Sequence, residues 1–376
     1  MKYVLLAIFI VLSGLMVAAQ IQLRRRDPDE VRLYWVTDNN PARALQTRLG
    51  ARFIQQRLGD DPRRVKVVVD FNNTGTQKII VQSLGGIGGD VMDVYAGWML
   101  NDLVRADVLL PWDEQWARSV GVDLSRIWPQ VHDQLAVNGV QYAIPANVDA
   151  YVMFWNLRIL ERKKAELAAA GYPLPLRPWL TWDDYRRIAR VLNPSGQLRE
   201  PYMLDTVNPS VLVWQAGGWT FNQTATRCTL DSDEAERAWQ LHFDLVHKDR
   251  VMPTPSERAG MADAGGWGSN QDLFNANRLT TIMIGRWGLI TFRKAQYRYA
   301  DNQPVMQDGA AAVLPDPLRF QVTFQPVIDL ERPVWIVATR SVAINRRTPN
   351  LELAKHFIAY LGDESYNRAI DDAADA

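Results

Sequence analysis

Residues 142–160 contain two short apolar runs that a polar step interrupts. Residues 142–144 and 151–155 have the aromatic and β-branched content of buried strands. Pro145 excludes a helix between them because it has no backbone N–H. Asn147 and Asp149 lie in the break, a pattern typical of a crossing between two domains in which Asp149 faces a small-molecule cleft. The alternative is an ordinary strand-turn-strand corner with a solvated Asp149.

Length and charge restrict the class of protein. A chain of 376 residues is long enough for two domains, each with its own core. The 42 basic and 42 acidic residues cancel, and the folded part contains no long basic run, so nucleic acid is not expected as a partner. Cys228 is the single cysteine and the four histidines are scattered, which predicts no disulfide within the chain, no metal and no cofactor.

The first 26 residues predict export. Residues 3–23 carry no charge, and residues 17–19 are the small residues that a signal peptidase reads. The run is also long enough to span a bilayer, and three arginines follow it, so residues 1–26 are either a signal peptide or an N-terminal anchor. No cysteine lies nearby, so the sequence predicts that the protein is not a lipoprotein. Export by either route would place it in the periplasm or at the outer face of the cytoplasmic membrane.

Strands and helices then alternate as in an α/β domain. The sequence predicts strands over residues 31–36, 65–69 and 91–95, with helices over residues 41–58 and 77–84 between them.

Polar residues follow these strands. Ligands of open α/β sheets bind at the carboxyl ends of the strands. The candidate ligand-binding residues of this rim are Thr37, Asp38, Asn39, Thr76, Tyr95 and Trp98. Turn chemistry alone is the alternative for each loop.

The glycines of residues 85–89 follow a predicted helix and precede a strand, which is the reverse of a dinucleotide-binding fingerprint. They predict a helix C-cap and a turn. No phosphate-binding loop, nucleophile elbow or zinc-protease string occurs in the sequence.

In the second half, residues 157–170, 181–192 and 231–247 predict surface helices. The second of these helices carries a capping pattern formed by Thr181 and Asp184. Trp239 and Trp335 lie in a predicted helix and a predicted strand, which indicates core positions.

Three loops place glycines beside a tryptophan: residues 215–219, 264–268 and 284–288. Flanking glycines allow the backbone to fold closely and leave the indole in a cavity. Sugars stack their C–H faces on indoles and need charged or amide partners for their hydroxyl groups. The predicted sugar-binding residues are therefore Asp149, Asn147, Arg286, Trp98, Trp219, Trp267 and Trp287. Hydrophobic packing is the alternative for each indole.

The chain resembles the extracellular solute-binding proteins of ATP-driven sugar importers, the maltose-binding-like group. The resemblance rests on strings that occur in the family's order: residues 34–43, 93–98, 142–160, 181–185, 264–268, 280–288 and 350–361. It implies an α/β, two-lobed periplasmic-binding-protein type II fold of two discontinuous domains joined by hinge crossings. It also implies that Asp149 is the crossover carboxylate and Trp287 a sugar-stacking ring.

The resemblance further implies an N-lobe of residues 28–145 and 288–338 and a C-lobe of residues 146–287 and 341–376. A monomer would bind a carbohydrate between the lobes, close about it, and deliver it to the permease subunits of an ABC importer. The sequence stops at Ala376, where relatives continue into further helices, so the chain is either a short member or a fragment.

Two other classes share these features. A secreted carbohydrate-active enzyme would need two carboxyl groups at one bond, and the sequence shows no evident second carboxyl group for Asp149, which favours a protein that is not an enzyme. A ligand-sensing partner of a membrane receptor would have the same fold.

Overall fold

The computed structural model describes residues 30–37, 44–58, 64–70, 75–95, 97–198, 201–204, 206–224, 226–261, 269–300 and 303–370. Two compact units emerge: residues 30–146 with 341–366 form the first, and residues 147–340 with 367–370 form the second, each with the gaps just given. The predicted signal or anchor segment, residues 1–26, lies outside the described residues.

The elements of the described residues are numbered in chain order. The strands are β1 (Glu30–Val36), β2 (Arg64–Asp70), β3 (Val91–Val94), β4 (Ala136–Val137), β5 (Val140–Gln141), β6 (Ile144–Ala150), β7 (Val152–Asn156), β8 (Tyr202–Leu204), β9 (Leu279–Ile284), β10 (Tyr299–Ala300), β11 (Gln303–Pro304), β12 (Met306–Gln307), β13 (Ala310–Ala311), β14 (Phe320–Phe324) and β15 (Val337–Ile344). The α-helices are α1 (Ala44–Arg57), α2 (Thr76–Leu84), α3 (Gly97–Arg105), α4 (Glu114–Ser119), α5 (Pro129–Gln134), α6 (Leu157–Glu161), α7 (Lys164–Ala169), α8 (Trp182–Leu192), α9 (Pro209–Gln215), α10 (Asp233–Phe243), α11 (Pro255–Met261), α12 (Ser269–Asn275), α13 (Gly288–Lys294), α14 (Leu351–Leu361) and α15 (Glu364–Ile370). None of these helices has the length and apolar content needed to cross a membrane.

The first unit is built on a five-stranded sheet of order β2-β1-β3-β15-β6. β1 pairs in parallel with β2 and with β3, as the predicted alternation of strands and helices requires. α2 ends at Leu84, and Gly86 follows with a positive φ of 70°, so the glycine-rich segment is the predicted helix end and turn.

The last strand and the helix after it belong to the first unit. β15 pairs antiparallel with β3, with Ser341 opposite Val94. The Phe357 ring of α14 packs edge-on against Trp35 at 5.4 Å and Phe53 at 5.0 Å. The predicted assignment of residues 341–376 to the C-lobe therefore differs from the structure for residues 341–366, because their apolar face completes the core beside β1 and α1.

The second unit contains a four-stranded sheet of order β14-β7-β9-β8. β7 pairs antiparallel with β14, so that Phe320 lies opposite Asn156 and Phe324 opposite Val152. This pairing places residues 288–338 in the second unit and differs from their predicted assignment to the N-lobe. The physical reason is that the apolar face of β14 pairs with β7, a contact between distant segments that determines the unit to which β14 belongs.

Successive side chains of β7 pack in two different apolar clusters, one on each face of the sheet, because side chains of a strand alternate between its faces. Met153 and Trp155 pack with Tyr185 of α8 in one apolar cluster. Phe154 packs in a second cluster on the opposite face of the sheet, together with Phe292 of α13.

Three predictions for the second half need correction. The helix expected over residues 157–170 is two helices, α6 and α7, and the helix expected over residues 231–247 ends as α10 and continues as a π-helical turn, Asp244–Lys248. Trp239 is 40% exposed and Trp335 is half-buried, so neither is the core residue expected. The buried residues of α10 are Ala235 and Ala238, so Trp239 does not belong to the buried face of this helix.

The predicted capping box at the start of α8 is confirmed. Asp184 accepts hydrogen bonds from the Thr181 backbone N–H at 2.9 Å and from the Thr181 hydroxyl at 3.0 Å. Tyr172 and Arg177 also donate to its carboxylate, at 3.0 and 2.6 Å. Burial raises the pKa of Asp184, but these hydrogen bonds outweigh burial and leave its pKa below the ordinary value.

Thr254 and Glu257 form a second capping arrangement at α11. Glu257 accepts from the Thr254 backbone N–H and hydroxyl, both at 2.8 Å, and from Arg250 at 2.5 Å. The hydrogen bond from Arg250 is the main cause that lowers the pKa of Glu257 to about 2, with the Thr254 N–H next.

We predict that Asp184→Ala lowers the free energy of unfolding by about 1–3 kcal/mol, because the cap is lost and the buried Tyr172 hydroxyl loses its acceptor. Urea denaturation measures the change. Asp183→Ala is the matched control, since the neighbouring Asp183 side chain is 73% exposed and should cost about 0.5 kcal/mol or less. Equal losses in the two variants would contradict the prediction.

We also predict a pH-dependent effect of Glu257→Gln. The pKa of Glu257 is lower in the folded state than in the unfolded chain, so its contribution to stability is complete above the unfolded pKa, about 4.3, and is lost as the pH falls toward about 2. The melting temperature of the variant should lie below that of the parent at pH 7, and the gap should narrow from pH 5 downward. Differential scanning calorimetry over this range measures it, and a constant gap would disprove it.

Candidate functional site

The second unit contains a cavity of about 630 Å³. Val152 and Phe154 of β7, with Phe320 and Val322 of β14, provide its apolar walls. The polar residues that line it are Asn147, Asp149, Arg286 and Asn367. The structure therefore brings together three of the residues that the sequence predicted as ligand-binding.

Asn147 and Asp149 reach this cavity from one continuous strand. The sequence predicted a break near Pro145, but β6 runs from Ile144 to Ala150 through the proline. β6 is an end strand in the order of its sheet, where a missing N–H is tolerated. Because side chains of a strand alternate, residues 147 and 149 share a face.

An ion pair joins the two charged residues of the cavity. Arg286 Nε lies 3.6 Å from Asp149 Oδ1, and the two side chains are 35% and 13% exposed. Tyr151 follows Asp149 closely in sequence, and burial, with the Asp149 carboxylate as second cause, raises the pKa of its phenol above the ordinary value. Tyr151 therefore keeps its proton at neutral pH and can donate a hydrogen bond.

The turn after β9 places Arg286 and Trp287. The Gly288 N–H donates to the Gly285 carbonyl at 3.0 Å, which closes the turn from β9 into α13. The indole of Trp287 lies directly against Gly285, where a Cβ would come within 1.9 Å of Trp287 Cζ3. Trp287 also meets the Tyr151 ring edge-on at 5.0 Å. Trp287 thus packs beside the cavity-lining residues as a partly buried ring, and its sugar-stacking role stays a prediction.

Two of the predicted rim residues of the first unit meet at a buried carboxylate. Asp93 accepts hydrogen bonds from the Thr37 hydroxyl at 2.6 Å and from the Tyr95 hydroxyl at 3.0 Å. The Trp35 indole N–H donates to the same carboxylate at 2.9 Å. Thr76, at the start of α2, is also buried, and its hydroxyl makes no hydrogen bond within the described residues.

Two other predicted site residues, Trp219 and Trp98, lie in the described part of the chain. Trp219 follows α9 and is 69% exposed. Trp98 is the second residue of α3. Asp38, Asn39 and Trp267 lie outside the described residues. The role of all these residues in ligand binding stays a prediction.

Asp149 is the one carboxylate among the described residues that line the cavity. Throughout the described part of the chain, no cluster of three or more His, Cys, Asp or Glu side chains could hold a metal ion. The lining residues themselves offer hydrogen bonds through Asn147, Asp149 and Arg286 and apolar contact through β7 and β14.

Sequence reasoning missed Tyr151, Asp93 and the β14 residues of the cavity wall. Phe320, Val322 and Phe324 alternate with polar residues at the period of a strand, which was a usable signal for β14. The partner strand of β14 is far away in the chain, as the hydrogen bond between Trp155 and Thr323, 168 positions apart, illustrates, so no local signal predicts the wall.

Comparison with known proteins identifies the family. Residues 61–368 match the family model described as bacterial extracellular solute-binding protein. The arabinooligosaccharide-binding protein of Halalkalibacterium halodurans is 22% identical over 306 residues, which are 79% of this chain and 60% of that relative. The chain therefore aligns with less than two thirds of the relative's length.

Solved structures share the fold. An ABC substrate-binding protein from Listeria monocytogenes in complex with cycloalternan superposes with a TM-score of 0.68 at 18% identity, over 92% of this chain and 78% of that one. An ABC transporter solute-binding protein from Thermotoga lettingae bound with alpha-D-tagatose gives a TM-score of 0.65 at 17% identity, over 92% and 80% of the two chains. The predicted α/β fold of the two-lobed solute-binding proteins is thus confirmed.

We predict that Gly285→Ala displaces the Trp287 indole, because the new Cβ would overlap the ring. Overpacking of this kind costs about 1–3 kcal/mol. Urea denaturation measures the loss, and the near-UV circular dichroism of tryptophan should change with it. Gly260→Ala in α11 is the control, since a Cβ at that position would have nothing within 4 Å and alanine favours a helix. An unchanged near-UV spectrum in Gly285→Ala would contradict the prediction.

Proposed function

Since the chain belongs to the bacterial extracellular solute-binding protein family, we propose that the cavity of its second unit binds a sugar or oligosaccharide. The observation that carries this proposal is the pairing of apolar walls with the Asp149–Arg286 edge. A sugar ring needs both surfaces, because its C–H faces favour apolar contact and its hydroxyl groups need hydrogen-bond partners.

Each polar group has a distinct part in the proposed complex. The Asp149 carboxylate accepts hydrogen bonds from hydroxyl groups, and the Arg286 guanidinium donates to hydroxyl oxygens. Asn147 can do both through its side-chain amide. A hydroxyl group is itself both donor and acceptor, so it suits a position between Asp149 and Arg286.

The proposed ligand is neutral. The charges of Asp149 and Arg286 oppose each other at 3.6 Å, so a charged ligand would gain one attraction and one repulsion. A neutral ligand rich in hydroxyl groups uses both side chains without a net charge at the site. The similar proteins are an arabinooligosaccharide-binding protein and solute-binding proteins with cycloalternan or tagatose, which supports a saccharide.

We propose binding without cleavage of the ligand. Hydrolysis of a glycosidic bond needs two carboxyl groups at one bond. Asp149 is the one carboxylate of the described cavity wall, and it lies 3.6 Å from Arg286. Incubation with oligosaccharides should release no reducing ends, and a positive assay would end this part of the proposal.

The partner and the location are also proposed. The solved structures of similar fold are named as ABC substrate-binding or solute-binding proteins, which supports delivery of the sugar by a monomer to the permease subunits of an ABC importer. Residues 1–26 would direct export, as a cleaved signal peptide or a retained anchor.

A thermal-shift screen tests the proposal. A ligand that binds only the folded protein raises its melting temperature. We expect at least one of arabinose, arabinotriose, glucose, maltotriose and tagatose to do so. If none of a broad panel of mono- and oligosaccharides raises the melting temperature, the proposed saccharide function fails.

For a sugar found in this way, we predict that Asp149→Asn weakens binding by about 1.5–3 kcal/mol, or about 10- to 150-fold in Kd, because a charged acceptor is lost. Isothermal titration calorimetry measures the change. Asp183→Asn removes an exposed carboxylate of α8 and should leave the Kd unchanged. The assignment of Asp149 would be refuted by equal Kd values for the parent and the Asp149→Asn variant.

A further inference from the structure

Three aromatic rings of the second unit form a cluster that we name the aromatic platform: Trp179, Phe324 and Trp335. Trp179 stacks on Phe324 with ring centroids 4.0 Å apart and planes 8° from parallel. Trp335 lies 5.0 Å from Phe324 and 5.4 Å from Trp179. Although Phe324 covers one face of the Trp179 indole, the residue remains 44% exposed.

The backbone that carries the aromatic platform is fixed by hydrogen bonds. The Phe324 N–H donates to the Pro178 carbonyl at 2.9 Å, which holds the segment of Trp179 along the edge of β14. The Trp335 indole N–H donates to the Gln325 carbonyl at 3.1 Å. The rings are therefore positioned before any ligand arrives.

Gln215 secures the loop between Phe324 and Trp335. Its side-chain N–H groups donate to the carbonyls of Pro326 at 3.0 Å and Val334 at 3.1 Å. Its side-chain oxygen accepts from the Trp182 indole N–H at 2.9 Å. Since Gln215 is only 5% exposed, this network ties both ends of the loop to the core of the second unit.

The aromatic platform continues the wall of the cavity. Phe320 and Val322 line the cavity, and Phe324 is the next residue on that face of β14. Two residues of a strand advance about 7 Å, so the aromatic platform begins about one sugar residue beyond Val322. Val322 is 44% exposed, so an open apolar surface connects the two.

A backbone hydrogen bond joins the segment of Trp335 to the segment that follows Asp149. The Tyr151 N–H donates to the Ile336 carbonyl at 3.0 Å, which places the residue after Trp335 next to the strand end that carries Asp149. A ligand that leaves the cavity along β14 would therefore meet the rings of the aromatic platform next.

We propose that the aromatic platform is a second sugar-binding position, so that the ligand is an oligosaccharide with one ring in the cavity and a further ring on Trp179. This inference rests on the proposed saccharide function. Its physical basis is that the Trp179 indole, which is stacked on Phe324 and still 44% exposed, offers an apolar surface of the kind that the C–H face of a sugar ring covers. A ligand that covers this apolar surface removes it from water, which stabilises the complex.

The test is a length series. Calorimetric titration of the parent protein with arabinose, arabinobiose and arabinotriose, and with glucose, maltose and maltotriose, should show a lower Kd for the longer members of the series that binds. Trp179→Ala should weaken binding of the trisaccharide about tenfold and leave the Kd of the monosaccharide unchanged. The advantage of length should therefore shrink in the variant.

Two variants separate stacking from loss of fold. Trp179→Tyr keeps a ring on Phe324 and should retain most of the length advantage. Trp239→Ala removes an indole of similar exposure, 40%, from α10 and should leave every Kd unchanged. Melting temperatures and far-UV circular dichroism confirm that each variant is folded.

The outcomes distinguish the two proposals. Absence of binding by every saccharide of both series and of the wider thermal-shift panel overturns the proposed function and the platform with it. Binding in which the monosaccharide and the trisaccharide have equal Kd values overturns the platform alone. The same holds if a folded Trp179→Ala variant loses affinity equally for both lengths or for neither.

Discussion

The antiparallel pairing of β14 with β7 is the contact on which the proposed ligand-binding surface of the second unit depends. It places Val322 beside Phe154 and Phe324 beside Val152, so that two distant segments form one apolar wall. The register decides which residues face the cavity, since a shift by one position would turn the alternate side chains of β14 toward the opposite core. Trp155 secures the register on that opposite face, because its indole N–H donates to the buried Thr323 hydroxyl at 2.9 Å.

Local patterns in the sequence predicted local structure well. The strands and helices of the first unit, the capping box at Thr181 and the turn after α2 follow from residue types within a few positions of each other. The polar edge of the cavity was also predictable, because Asn147, Asp149 and Arg286 are polar residues within otherwise apolar segments. Each of these features is decided by near neighbours in the chain.

The features that the sequence did not predict depend on contacts between distant segments. Trp239 fits an apolar helical face, yet Ala235 and Ala238 form the buried centre of α10 because a neighbouring helix, α9, packs closely there. Pro145 indicated a break, yet the position of β6 at the end of a sheet leaves its missing N–H without cost. The sequence placed the Trp287 indole in a cavity but did not predict that it packs against Gly285.

The Asp149–Arg286 pair gives the cavity a means of selection as well as attraction. Each side chain restrains the other at 3.6 Å, so less conformational entropy is lost when a hydroxyl group binds to both. A carboxylate ligand would have to compete with Asp149 for Arg286 and would leave the largely buried Asp149 with a like charge nearby. Because an unpaired charge in an apolar setting is costly, we expect the cavity to disfavour charged ligands by repulsion and fully apolar ligands because they would leave its ion pair poorly solvated. The neutral ligand rich in hydroxyl groups that we propose avoids both penalties.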